Sequence, residues 1–151
     1  MALTARKEII GNLQYWLGTI NQANGYQTAG FATVARHRDT AVEPFAPEEV
    51  PAVNIIDSLA DITHNVSDDI HDLSVSIEIH TTSRITADQA EEMLGDVVRC
   101  IDLNGMDSAW GGHADGTTIE SHNIDVAQTG DTIYSGNLVI TIHYTTEKGK
   151  I

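Results

Sequence analysis

Leu73-Ser74-Val75-Ser76-Ile77-Glu78-Ile79-His80 alternates apolar and polar residues without a break. The period of two predicts a strand that turns Leu73, Val75, Ile77 and Ile79 to a core and Ser74, Ser76, Glu78 and His80 to solvent. A strand buried on both faces would read as one apolar run, so this alternation predicts an antiparallel sheet covered on a single face. The cover follows directly. Thr86 and Gln89 form a capping box with Ile85 as a hydrophobic staple, and Ala90, Met93, Leu94, Val97, Val98 and Ile101 recur at helical spacing. Asn104-Gly105 supplies the chemistry that stops the helix.

Working outward, residues 4–23 predict a first helix, with Ile9, Leu13, Trp16, Leu17 and Ile20 on one stripe, Thr4 as its cap and Asn24-Gly25 at its end. Residues 31–38 read as a strand. Residues 39–51 contain Pro44, Pro47 and Pro51, all the prolines of the chain, and predict an irregular loop because proline removes backbone donors. A short strand is expected at residues 52–56, and residues 57–69 read as a polar, acidic connection carrying Asp57, Asp61, Asp68 and Asp69. Residues 106–118 form a Gly-rich loop. A strand over residues 119–127 needs a bulge near His122 or Asn123, because Ile119 is out of phase with Ile124 and Val126. After Gly130-Asp131 a last strand spans residues 135–146, and residues 147–151 are expected to fray. The fold class is α+β: one domain over residues 1–151, a mainly antiparallel sheet with two helices packed on one face, and long connecting loops.

The chain of 151 residues holds eight Lys and Arg against 22 Asp and Glu, a net charge of −14 with neutral histidines. Such a chain repels phosphate backbones and anionic membranes, which argues against nucleic-acid readout and lipid docking. Cys100, the single cysteine, sits in the second helical stripe and reads as a small buried apolar residue. The N-terminus lacks an apolar signal core, and no apolar run reaches the roughly 20 residues of a membrane span. The expectation is a soluble protein made in the cytoplasm of its host cell.

Catalytic patterns are absent from the sequence. It has no Gly-x-Ser-x-Gly elbow, no phosphate-binding glycine loop and no His-Glu-x-x-His or Cys-x-x-Cys pair. His80, His143 and Glu78 share polar strand positions and would meet only if their strands pair in register. The reading is therefore no enzyme, no cofactor and no metal. Two large aromatics lie outside the periodic elements, Phe45 and Trp110, and are candidate interface anchors.

The order of elements resembles the tail-terminator, or tail-completion, proteins of long-tailed bacteriophages. The likeness lies in the opening helix with Arg6-Lys7-Glu8-Ile9-Ile10 and the strand ending Arg36-His37-Arg38. It continues through the proline- and glutamate-bearing loop into Pro51-Ala52-Val53-Asn54-Ile55-Ile56-Asp57, the strand at residues 73–80, the Thr86-capped helix and the closing strand at residues 138–144. It covers nearly the whole chain through element order and texture, with no single diagnostic motif. The resemblance implies a structural virion protein, assembled in a hexameric ring at the head-proximal end of the tail tube. It would end tube polymerisation and contact the tail-tube protein and a head-side connector or stopper protein, while DNA passes without specific binding. Asp61, Asp68, Asp69 and Asp72 are then candidates to line the lumen with like charge. Another phage neck or tail-tube subunit, or a small cytoplasmic protein- or ligand-binding module, is the alternative.

Overall fold

The computed structural model describes residues 4–82, 84–106, 109–129 and 131–151. The elements are α1 (Ala5–Leu17), β1 (Thr33–Arg36), β2 (Ala52–His64), β3 (Asp68–His80), α2 (Ala87–Ile101), β4 (Gly116–Thr129) and β5 (Asp131–Glu147). The strands form one sheet in the order β1-β2-β3-β5-β4, with β1 parallel to β2 and all other neighbours antiparallel. Among the described residues no helix is long and apolar enough to cross a membrane.

β3 sits in the middle of the sheet, and its alternation decides where the core lies. Leu73, Val75, Ile77 and Ile79 are buried, as are Val53 and Ile55 of β2 and Leu138, Ile140 and Ile142 of β5. Ile9, Ile10, Leu13 and Leu17 of α1 and Met93, Leu94, Val97, Cys100 and Ile101 of α2 pack into the same cluster. Both helices therefore cover one face, as the sequence predicts. Each fully buried aliphatic side chain contributes about 1.5–3 kcal/mol over leaving it in water. Thr86 Oγ1 accepts from Gln89 N and Gln89 Oε1 accepts from Thr86 N, so the capping box forms.

Several boundaries depart from the sequence reading. α1 stops at Leu17, because Gly18 and Thr19 are weak helix formers and Asn21 caps a separate 3₁₀ turn at Gln22–Asn24. Gly25 ends that turn with φ 88°. The acidic stretch read as a connection is mostly strand. β2 continues to His64 and turns back into β3, with Asn65 N donating to Asp68 O at 2.9 Å. A register shift between Asp57 and Ala60 lets Ala60 and Ile62 keep to the helix side of the sheet. β4 has the expected bulge, between Ile119 and Ser121 and thus slightly earlier than predicted. The expected turn at Gly130 lies outside the described residues. The C-terminal tail is tied down instead of frayed: Ala5 N donates to Ile151 O at 3.1 Å and Gly149 N to Asp69 Oδ2 at 3.0 Å.

Trp110 is the largest departure from an aliphatic core. Its side chain is fully buried, Nε1 donates to Thr117 Oγ1 at 2.9 Å, and its ring lies against Gly105, where a Cβ would come within 2.5 Å of it. Its own backbone is left-handed (φ 54°), a strained conformation held by the surrounding packing. Trp110→Ala is expected to destabilise the domain by about 3–5 kcal/mol. Gly105→Ala should also destabilise, because the ring has nowhere to move. Urea unfolding of both variants measures this, and unchanged midpoints would show that the loop is not part of the core.

Candidate functional site

The sheet has one covered face and one open face, and the long strands β2 to β5 carry only acidic formal charge at neutral pH. The cations that reach the open face, Arg38 over Phe45 and Lys150 on Glu147 at 2.8 Å, come from outside those strands. β2 to β5 hold carboxylates along their length, among them Asp61, Asp68, Asp72, Glu78, Asp125 and Glu147, and not one Lys or Arg. Register partners share a face. Asp61 pairs with Asp72, Asp72 with His143, and Asp68 with Glu147, all on the side away from the helices. Three of the four sequence-proposed lumen residues, Asp61, Asp68 and Asp72, thus gather at the end of the open face beside the β2–β3 turn. Asp61 is exposed, whereas Asp72 Oδ1 meets His143 Nδ1 at 2.6 Å.

Asp69 leaves this set. It lies on the helix side, buried, where it accepts from Gly149 N at 3.0 Å and meets His64 Nδ1 at 2.7 Å. The Gly149 N–H and the His64 ring hold its carboxyl below the usual range. Strand alternation separates it from Asp68 and Asp72, a consequence hidden while residues 57–69 read as a loop.

The two aromatic candidates also differ from each other. Trp110 is enclosed by its own domain, so it offers no surface to a partner. Phe45 is half-buried between the Arg38 guanidinium, 4.3 Å from its ring centroid, and the His80 ring at 5.1 Å. Arg38 organises the whole proline loop. It donates to Glu49 Oε2 at 2.7 Å, Pro44 O at 3.0 Å and Glu43 O at 2.9 Å. His80 and His143 do not meet: His80 is in register with Ser135 and His143 with Asp72, towards opposite ends of β5. Among the described residues no group of three or more His, Cys, Asp or Glu is placed to hold a metal ion.

A second charged cluster went unnoticed in the sequence. Asp57 is buried on the helix side of β2, and Arg36 donates to it at 2.8 and 2.6 Å, Arg6 at 3.1 Å, while His37 Nε2 lies 2.9 Å away. Arg6 also donates to the carbonyls of Asp57 and Ser58. This joins α1, β1 and β2 through one carboxylate. Burial pushes the Asp57 carboxyl up, but the hydrogen bonds from Arg36 and Arg6 outweigh it and hold the group below its ordinary value. The signal in the sequence is slight: an Arg in each of two elements and an Asp in a third, with nothing to show that they converge.

Of the depressions on the helix side, two lie over the helix surfaces beside the edge strands. One, of about 420 Å³, runs over α1 between Lys7, Gly11, Gln14 and Tyr15 and is bordered by Arg36 of β1 and by His113, which contacts Glu8 at 3.0 Å. The other, of about 410 Å³, is floored by Leu94, Val98 and Ile124, with Glu91, Gly95 and His122 around it. Gly11 and Gly95 are helix-interior residues whose added Cβ would meet nothing within 4 Å. Glycine there is about 1 kcal/mol less favourable than alanine, and no internal contact requires it.

No family model matches the chain, and no curated protein matches it. The reading of this surface therefore stands on its own geometry and charge.

The ion pairs fix a pH dependence. Glu49 is lowered from 4.5 to about 2 by Arg38 and the Ala46 N–H, and Asp57 and Asp69 are lowered too. Carboxyls depressed in the folded state stabilise it above their unfolded values, near pH 4, and lose that contribution as pH falls towards 2. Urea midpoints should be level from about pH 5 to 7 and fall steeply below pH 4. Asp57→Asn should cost about 2–3 kcal/mol at pH 7, a value reduced because both guanidiniums keep water contact, and should flatten the acid slope. An unchanged slope would remove Asp57 from this account.

Proposed function

We propose that this chain is a structural subunit of a bacteriophage tail, closing a ring at the head-proximal end of the tail tube and joining tail to head, with its open sheet face turned to the DNA channel. The observation that carries this reading is the end of the open face beside the β2–β3 turn, where Asp61, Asp68 and Asp72 gather and the four long strands hold no Lys or Arg. Glu147 beside them is paired with Lys150. A like-charged wall lets DNA slide without adhering. Two further features support assembly. The outward edge of β2 beyond Ile55 has no β1 partner, and β4 forms the far edge of the sheet. Past the end of β3, β4 and β5 continue as a two-stranded ribbon bearing exposed Val126 and Ile133. Unpaired edges and exposed apolar ribbons are surfaces that other chains use. The partners in this reading are further copies of the chain, most simply six, with the tail-tube protein below and a head-side connector or stopper above.

Cryo-EM of tails assembled with the chain is expected to show a closed ring with the β2–β5 open face lining the channel. One isolated copy per particle, or the open face on the outer rim, overturns the reading. Replacing Asp61 and Asp72 together by Lys should cost no more than about 1–2 kcal/mol of folding stability, because Asp61 is exposed and Asp72 loses only its contact with the partly exposed His143. The same double variant should give the ring an affinity for double-stranded DNA that falls with added salt, measured by fluorescence anisotropy. Absence of any salt-dependent binding in the variant ring would remove these residues from the channel.

A further inference from the structure

We infer that the α1 depression of one copy docks on the α2–β4 depression of the next, Lys7 meeting Glu91 and Tyr15 covering the apolar floor of Leu94, Val98 and Ile124. The occupant is a second copy of this chain, and the inference rests on the ring reading above.

Charge is the first argument. Three of the eight Lys and Arg of this acidic chain, Arg6, Lys7 and Arg36, lie on α1 or on the adjoining β1, whereas Arg38 beyond β1 is paired with Glu49. Arg6 and Arg36 share the single carboxylate of Asp57, which leaves that cluster cationic, and Lys7 has no ion-pair partner among the described residues. At helical spacing, Asp88, Glu91, Gly95, Val98 and Asp102 form one ridge of α2 beside the second depression. Among the described residues none of its three carboxylates has a cationic partner. A cationic patch on an acidic chain and an acidic apolar groove on the same chain are complementary to each other and not to themselves. Such a pair makes a heterologous, head-to-tail contact, the kind that repeats around a ring.

Shape is the second argument. Each depression sits over the one glycine inside its helix that has open space at the Cβ position, Gly11 in α1 and Gly95 in α2. Side chains there would fill the dip, so the unfavourable glycines gain a reason if another chain approaches closely. Tyr15, more than half exposed at 64%, supplies an aromatic body beside the Gly11 depression. The two depressions border β1 and β4, the edge strands at opposite ends of the strand order, so one copy can use both at once.

The test is sedimentation velocity of the full chain from micromolar to millimolar concentration, with four single variants and one double variant. Lys7→Glu and Glu91→Lys should each weaken self-association about tenfold or more, and the two together in one chain should restore it, as expected for contacting charges. Gly95→Ala and Gly11→Ala should raise the melting temperature of the monomer while weakening association. A purely internal role for these glycines would raise the melting temperature and leave association unchanged. If the wild-type chain associates and both charge reversals associate like it, this interface is wrong while the ring reading stands. A wild-type chain that stays monomeric at millimolar concentration, and forms no ring on tails, overturns both.

Discussion

β3 is hydrogen-bonded on both sides and can hide only one of its faces. That constraint organises the rest of the molecule. Because Leu73, Val75, Ile77 and Ile79 all project to one side, β2 and β5 must present their apolar residues to the same side, and both helices must lie there. The other face is left with Asp68, Asp72, Ser74, Ser76, Glu78 and His80. An acidic open face is thus the reverse side of the core, produced by the same alternation.

The helix layer is held to the sheet by apolar packing, and polar anchors set the position of individual segments. Asp57 binds α1 to β1 and β2 through Arg6 and Arg36. Asp96 of α2 is buried and accepts from the N–H groups of Gln27 and Thr28, fixing the segment between α1 and β1. Asp69 holds the C-terminal tail under α1 through Gly149. Among the described residues these three carboxylates are the ones taken inside, and each is satisfied by hydrogen-bond donors, as buried charges require.

That division of labour links stability to the proposed role. The buried carboxylates Asp57, Asp69 and Asp96 lie on the helix side, whereas Asp61, Asp68 and Asp72 lie on the open side. The two sets can be altered separately. The long strands β2, β3, β4 and β5 give a domain of this size a broad, polar open face whose own strands carry acids and no Lys or Arg.

The sequence by itself determined the class of fold, the face of β3 that is buried, the capping of α2 and the acidity of the whole. These depend on local spacing and composition, which a linear reading measures directly. It also placed Asp61, Asp68 and Asp69 in one polar segment, with Asp72 just beyond it. It could not tell that residues 57–64 form a strand, because their acidic texture resembles a loop and only pairing with β3 makes them extended. The burial of Trp110, the separation of Asp69 from its neighbours, the distance between His80 and His143 and the convergence of Arg6 and Arg36 on Asp57 were decided by tertiary structure alone. Each depends on which strands pair and in what register, and register is set by long-range contacts between residues tens of positions apart.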